Sequence, residues 1–432
     1  MRKTLLALGL GLASINAPAA DLLQIYQQAL ASDPQIRAAL ASRDASYEAR
    51  PLAKAGLLPN VSLNGDLTYQ NQDLVSPSVT ANNDFASHGV TLSVVQPLFR
   101  RDRLVALDQA DDQVEQADAE YSAAQQGLIL RVAQTYFGVL SAKDSLAFAE
   151  AEKKAIARQL DQAQERFDVG LVAITDVHEA QARYDQARAN EISAVNAVDA
   201  AVEALREIVA TASHQLDGLK TSVPLLPPQP GNIDEWSSTA LQNNPAIQSA
   251  RLSADIARKN IDRQDSGHYP SVDLVAALNR TRSESPIGTD VDSASIGVQL
   301  SVPIYSGGGV NASTRQARHQ YSAAQEVLDQ QRRAVDRQVR DAYRGIQTSI
   351  SRVQALKATE RSAMSALEAT QAGFDAGTRT LVDVLNSQRD LFRAMRDHAQ
   401  SRYDYVINTL SLMQAAGTLS EEDIQRVNTW LE

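Results

Sequence analysis

The stretch Phe167-Asp-Val-Gly-Leu-Val-Ala-Ile-Thr-Asp176 returns 207 residues later as Phe374-Asp-Ala-Gly-Thr-Arg-Thr-Leu-Val-Asp383. Tyr136 and Gln181 return at the same offset as Tyr343 and Gln388. Nearer the N-terminus, Ala29, Leu30, Pro34, Ile36 and Pro59 return 211 residues on as Ala240, Leu241, Pro245, Ile247 and Pro270. The offset shortens between Pro59 and Pro97, where hairpin loops absorb deletions without disturbing the rest. One duplicated unit therefore builds the chain, and neither half is a separate enzyme domain.

Working outward from that turn, residues 103–166 and 310–372 are rich in Ala, Gln, Arg, Glu, Asp and Leu and hold no proline. At ~1.5 Å per residue each would form a helix roughly 95 Å long, against the ~11–12 residues of an average globular helix. Apolar residues recur at sevens, as Val114, Tyr121 and Leu128 and then Val132, Val139 and Leu146, so neighbouring helices pack side by side in coiled-coil fashion. Gly170 and Gly377 suit the left-handed position after a helix end, and helices starting near Thr175 and Thr380 take threonine as cap. These are helical hairpins. Shorter helical segments span residues 22–57 and 233–264, ending at Leu58-Pro59 and Tyr269-Pro270, and the proline-rich run from Val223 to Gly231 is a stiff connector.

After Pro59 the period changes to two. Val61, Leu63, Leu67 and Tyr69 share one face, Val90, Leu92 and Val94 continue it, and Val272, Leu274, Ala276, Leu278, Ile296, Val298, Leu300 and Val302 repeat it. Each run approaches the ~9–11 residues of a tilted membrane strand. Tyr69 and Phe85 towards one end, with Phe99, Tyr269 and Tyr305 towards the other, fit aromatic girdles. The polar stretches 71–84 and 283–292 read as exterior loops. Four strands cannot close a barrel, since the smallest need ~8 and open edges are excluded from lipid. Several chains must share one barrel, a dimer with eight strands or a trimer with twelve. The helices favour three, because twelve at ~10 Å spacing leave a lumen of roughly 25–30 Å and eight leave under ~20 Å.

The N-terminus carries Arg2 and Lys3, an apolar run from Leu5 to Leu12, and the small residues Ala17, Ala19 and Ala20, the three regions of a secretory signal peptide. Cleavage there leaves 39 cations against 52 acids, a net charge of −13 that argues against nucleic acid. The sequence holds no cysteine, so disulfides, a zinc–cysteine site and a lipid-bearing cysteine are excluded. The six histidines (His88, His178, His214, His268, His319 and His398) show no paired metal spacing, and Gly307-Gly-Gly309 lacks the lysine of a phosphate loop. No carboxylate pair or nucleophile elbow stands out, so no catalytic residue, metal or cofactor is expected. Two other classes remain at this point: a structural periplasmic rod or adaptor, which would need no alternating strands, and an exported hydrolase, which would need a compact pocket.

Several motifs together resemble the outer membrane factor family, the trimeric exit ducts of Gram-negative outer membranes. They are the Tyr26-Gln-Gln-Ala29 opening, Leu58-Pro59, Gln96-Pro-Leu-Phe99, Gly170-Leu-Val-Ala-Ile-Thr-Asp176, Val302-Pro-Ile-Tyr-Ser-Gly-Gly308, Gly377-Thr-Arg-Thr-Leu-Val-Asp-Val-Leu385 and Ala416-Gly-Thr-Leu-Ser420. The resemblance covers essentially all of the mature chain. It implies an α+β membrane protein: a homotrimer with a shared twelve-stranded transmembrane β-barrel, four strands per chain, continuous with a twelve-helix periplasmic α-barrel. The implied function is that of the outer-membrane exit channel of efflux pumps and type I secretion systems, passively conducting drugs, bile salts, siderophores and exported proteins from inner-membrane pumps to the exterior and gated at the periplasmic end. The implied partners are outer-membrane lipid, a periplasmic adaptor and inner-membrane ABC, resistance-nodulation-division or major-facilitator transporters.

The division that follows is a signal peptide at 1–20; a first repeat at 21–213 with a β-hairpin at 61–97 and a tip near 170; and a linker at 214–232. A second repeat then occupies 233–416, with a β-hairpin at 271–303 and a tip near 377, before a C-terminal segment at 417–432.

Carried over residue by residue, the resemblance puts Asp383 at the first acidic ring of the periplasmic constriction, with Asn386 at the second, where the family has an acid. One charged ring backed by an amide ring would hold cations less well. Links between neighbouring hairpins in the closed state fall to Arg379 with Thr175 and Asp176. Phe374 stands where a tyrosine hydroxyl often contributes a hydrogen bond. Gly170 and Gly377 match the tips that meet adaptor hairpins. Read locally, Thr380 and Asp383 also have the spacing of a capping box, which would place a carboxylate there without any channel role.

Overall fold

The computed structural model describes residues 20–76, 79–210, 215–284 and 290–432, so the expected leader lies, except for Ala20, outside the described residues. Three short helices, α1 (Leu22–Ser32), α2 (Pro34–Tyr47) and α3 (Ala49–Ala55), precede a strand pair, β1 (Asn60–Ser76) and β2 (Val79–Phe99). A helix of 68 residues, α4 (Arg101–Asp168), then reverses into α5 (Ile174–Val209). The order repeats as α6 (Ile233–Asn243), α7 (Pro245–Asp265), a 3₁₀ turn, β3 (Ser271–Ser283), β4 (Val291–Ser301), α8 (Gly309–Asp375) and α9 (Leu381–Ala416), and α10 (Glu421–Asn428) closes the chain. No described helix is long and apolar enough to cross a membrane.

Two expectations need correcting. The segment 22–57 is three helices and 233–264 is two; Pro34 and Pro245 bring no N–H and restart the helix at its first turn, which accounts for one break in each segment. Asp33 and Asn244 cap those starts, Asp33 Oδ1 accepting from the Ile36 amide at 3.2 Å and Asn244 Oδ1 from the Ala246 amide at 3.0 Å. The stretch 71–84 is not an open loop: the ladder continues from Asn71 opposite Asp84 to Ser76 opposite Val79. Polar side chains do not prevent this, since pairing is made by backbone groups that need partners whatever they carry.

Contacts divide the chain into two compact units, each drawing on both repeats. The first comprises residues up to Arg37, Ala124–Ala240 and Arg337–Glu432. Leu22, Ile25, Leu128, Tyr136, Phe137, Leu205, Tyr405 and Leu410 are buried in it, and the Phe137 ring lies 5.5 Å from Tyr136 and 5.8 Å from Tyr403. The repeated tyrosines do the same work: Tyr136 donates to the Asp217 carbonyl (2.8 Å) and Tyr343 to that of Gly231 (2.7 Å), pinning irregular chain against the helices. Burial holds the Tyr136 hydroxyl far above its ordinary pKa, so it remains a donor.

The second unit comprises Ala38–Ala123 and Leu241–Asp336 and holds a four-stranded antiparallel sheet in the order β1-β2-β3-β4. Register aligns the apolar alternation across it: Leu63 faces Leu92, Leu92 faces Leu278, Ala276 faces Ile296 and Leu274 faces Val298. That face is bare, with Leu67 80 % and Ile296 75 % exposed. Such a surface on a water-soluble protein would aggregate; against acyl chains it is at its lowest free energy. At the foot of the sheet the Arg100 guanidinium grips Asp273 with Nε and Nη2 at 3.1 and 2.7 Å, and Arg101 stacks 4.6 Å from the Tyr269 ring.

Candidate functional site: the two hairpin tips

Both tips lie in the first unit and use the same backbone. At the first, the Gly170 amide donates to the Phe167 carbonyl and the Leu171 amide to that of Arg166, each at 2.8 Å. At the second, the Gly377 amide donates to the Phe374 carbonyl (3.0 Å) and the Thr378 amide to that of Gly373 (2.8 Å). This pair of bonds satisfies the last carbonyls of a helix when the next residue is left-handed, and Gly170 and Gly377 have φ of 75° and 74°.

The helix starts differ. Thr380 caps α9 in a reciprocal box: its hydroxyl accepts from the Asp383 amide (3.2 Å), and its own amide and hydroxyl donate to Asp383 Oδ2 (3.0 and 2.9 Å). These donors, with a smaller contribution from the Arg379 charge, hold the Asp383 carboxyl below the usual aspartate range. Thr175 was expected to cap α5 in the same way. It is instead inside the first turn, and the cap position is Ala173, whose side chain offers no acceptor. Asp176 occupies the position of Asp383 without a hydroxyl partner at the cap.

An apolar zip joins the hairpins. Ile156, Ala163, Val177, Ala180 and Ala187 from the first meet Leu381 and Leu385 from the second, with Phe167, Tyr184 and Phe374 packed at the margin. Phe374 makes its contribution through its ring, which lies 4.6 Å from the Arg166 guanidinium, and Arg166 also reaches Asp375 Oδ1 at 3.6 Å. Asn386 is not a free amide: its Oδ1 accepts from Arg183 Nη2 at 3.1 Å, tying α9 to α5. Arg379 forms no hydrogen bond or ion pair with Thr175 or Asp176 within the chain, among the described residues. Its stem runs over Gly373, where an added Cβ would come within 2.7 Å of Arg379 Cγ.

Arg166, Arg183 and Gly373 were missed by sequence reasoning. One signal was present: Gly373 stands where the first repeat has Arg166, a break in the repeat at the position from which Arg166 reaches the second hairpin. The site offers charge, hydrogen-bond donors and an exposed apolar tip. Among the described residues there is no group of three or more His, Asp or Glu able to hold a metal ion.

The comparisons agree with this geometry. The model of the outer membrane efflux protein family matches residues 25–211 and again residues 236–418. The chain is 41 % identical over 428 residues to the outer membrane protein TolC of Vibrio cholerae serotype O1, covering 98 % of this chain and 96 % of that protein. It is 32 % identical over 420 residues to the alkaline protease secretion protein AprF of Pseudomonas aeruginosa, covering 95 % and 87 %. Among solved structures, the outer membrane protein VceC of Vibrio cholerae superposes with a TM-score of 0.79 at 18 % identity over 92 % of this chain and 96 % of that one. With relatives this similar along nearly the whole length, the chain belongs to the outer membrane efflux protein family, exit channels of the Gram-negative outer membrane rather than enzymes.

Proposed function

We propose that three copies of this chain seal one channel and pass cargo delivered from the inner membrane, by ABC, resistance-nodulation-division or major-facilitator transporters working through a periplasmic adaptor. The observation that carries the reading is the sheet: four strands with an exposed apolar face, and β1 and β4 left as edges. Unpaired edges are excluded from lipid, so the edge of one copy must meet that of another. Cargo of the kinds handled by such channels, drugs, bile salts, siderophores and secreted proteins, needs no chemistry from the wall.

The division into a leader, two repeats, a linker and a C-terminal segment belongs to the same reading. At the closed end, Asp383 serves as cap and ring at once: three symmetry-related carboxylates near an axis repel one another and attract cations. Arg379, whose side chain forms no hydrogen bond or ion pair among the described residues, reaches Thr175 and Asp176 of a hairpin in another copy. Gly170 and Gly377 present backbone to the adaptor.

Detergent extracts of outer membranes should contain a heat-resistant trimer, and a monomer soluble without detergent overturns the proposal. In planar bilayers Asp383→Ala should relieve block by a trivalent cation and Arg379→Ser should raise conductance. Unaltered block or conductance removes the corresponding role. Deleting the gene and measuring dye retention beside protein secretion separates efflux from secretion as the main task.

A further inference from the structure

In the first unit, between α4, α8, α9 and the segment at Thr221, lies an open cavity of about 540 Å³. Its lining holds the apolar Phe148, Met364 and Met395 beside the cations Lys357, Arg361 and Arg402. Its only carboxylate, Glu360, is already engaged by His398, with Oε2 2.6 Å from Nδ1. Lys357 and Arg361 make no ion pair or hydrogen bond among the described residues. Arg402 spends Nη1 on the Lys220 carbonyl at 3.3 Å, while its Nε is buried without a partner. A buried donor on a cation is costly to leave unmatched, so the site lacks an acceptor.

The duplication shows that the scaffold does not require this arrangement. In the first repeat Glu150 stands for Lys357, Lys154 for Arg361, Ala157 for Met364 and Val195 for Arg402. Lys153 and Glu191 stand for Glu360 and His398, and there Lys153 Nζ meets both Glu191 oxygens at 2.6 Å. Arg188 stands for Met395, so these positions of the first repeat carry three cations and two acids. In the second the inter-helix pair has exchanged ends, a histidine has replaced the acid, and three permanent cations face one carboxylate. The second repeat thus carries one acid fewer against the same number of cations, and the methionine wall belongs to it alone.

We propose that this cavity binds an amphipathic organic anion, a carboxylate or sulfonate on an aromatic or polycyclic body. Its charged group lies among Lys357, Arg361 and Arg402, and its body lies against Phe148, Met364 and Met395. The volume falls within the ~300–1,000 Å³ usual for small-molecule sites. Charge-assisted hydrogen bonds fix the head, and the flexible thioethers adapt to the body. The site shares no residue with the hairpin tips described above and does not depend on the transport reading.

The test is a fluorescence titration of the purified full-length protein in a neutral detergent with anilinonaphthalene sulfonate, beside N-phenyl-1-naphthylamine, the same body without the sulfonate. Saturable binding of one sulfonate per chain is expected, weakened at least tenfold by the pair Lys357→Ala and Arg361→Ala and weakened by salt. The neutral analogue should be indifferent to both changes. Arg361→Lys should retain most of the affinity, and Lys357→Glu, which restores the charge of the first repeat, should lose it. Equal sulfonate affinity in the wild type and the double variant, or no saturable binding at all, overturns the proposal.

Discussion

The two hairpin tips have one backbone and two surfaces. Both helices end in the same pair of reverse-turn bonds around a left-handed glycine. Yet the first tip exposes Val169 (69 %) and Leu171 (74 %), whereas the second exposes Thr378, Arg379 and Thr380. The first leaves the opening amides of α5 without a side-chain cap; the second closes its opening with a capping box and a carboxylate held ionised. Duplication thus conserved the turn and released the residues around it. One copy presents an apolar surface and the other a polar one, which suits the docking and constriction roles proposed for them.

That contrast can be broken at its strongest point by making the first tip polar. Val169→Ser with Leu171→Asp should reduce efflux and adaptor cross-linking more than tenfold while leaving heat-resistant trimers, and Thr378→Asp at the matching site should do far less. Equal losses at both tips would erase the distinction. Next in size is backbone strain: Gly170→Val and Gly377→Val meet open space, so each should cost only the left-handed penalty, about 1–2 kcal/mol, read as a lowered melting temperature. A clearly larger cost at Gly377 would mean that the turn and the capping box act as one.

A subtler change is expected in pH dependence. Because the Asp383 pKa is depressed in the folded chain, its contribution to the first turn of α9 is present at neutral pH and lost as pH falls through that depressed value. Thr380→Ala removes one of the donors, so block by a trivalent cation should disappear at a higher pH than in the wild type. An unchanged pH profile would detach Asp383 from its cap. Smallest of all, Ala173→Ser supplies the cap that α5 lacks and should stabilise it by about 1 kcal/mol, whereas Thr175→Ala, inside the first turn, should be neutral in a thermal melt.

Much of this was legible in sequence because it depends on local rules. Glycine after a long helix, Thr380 three residues before Asp383, and the alternation from Val61 to Tyr69 each carry their own geometry. The failures were also local rules, overridden. Thr175 is a good cap residue, but the helix starts earlier, at Ile174, and leaves it within the first turn. Residues 71–84 have loop composition, but the strand ladder continues as far as Ser76 opposite Val79.

What sequence alone determined is periodicity and punctuation: two repeats, where helices reverse, which strand faces are apolar, and the absence of thiol chemistry. Tertiary structure alone decided which side chains meet across elements. Arg183 reaches Asn386, Arg166 covers Phe374, and Arg402 of α9 lines the same cavity as Lys357 and Arg361 of α8. Those partners are far apart in the chain or on different helices, and a long flexible cation carries no sequence period that names its partner. Only the packed distance between helices selects it.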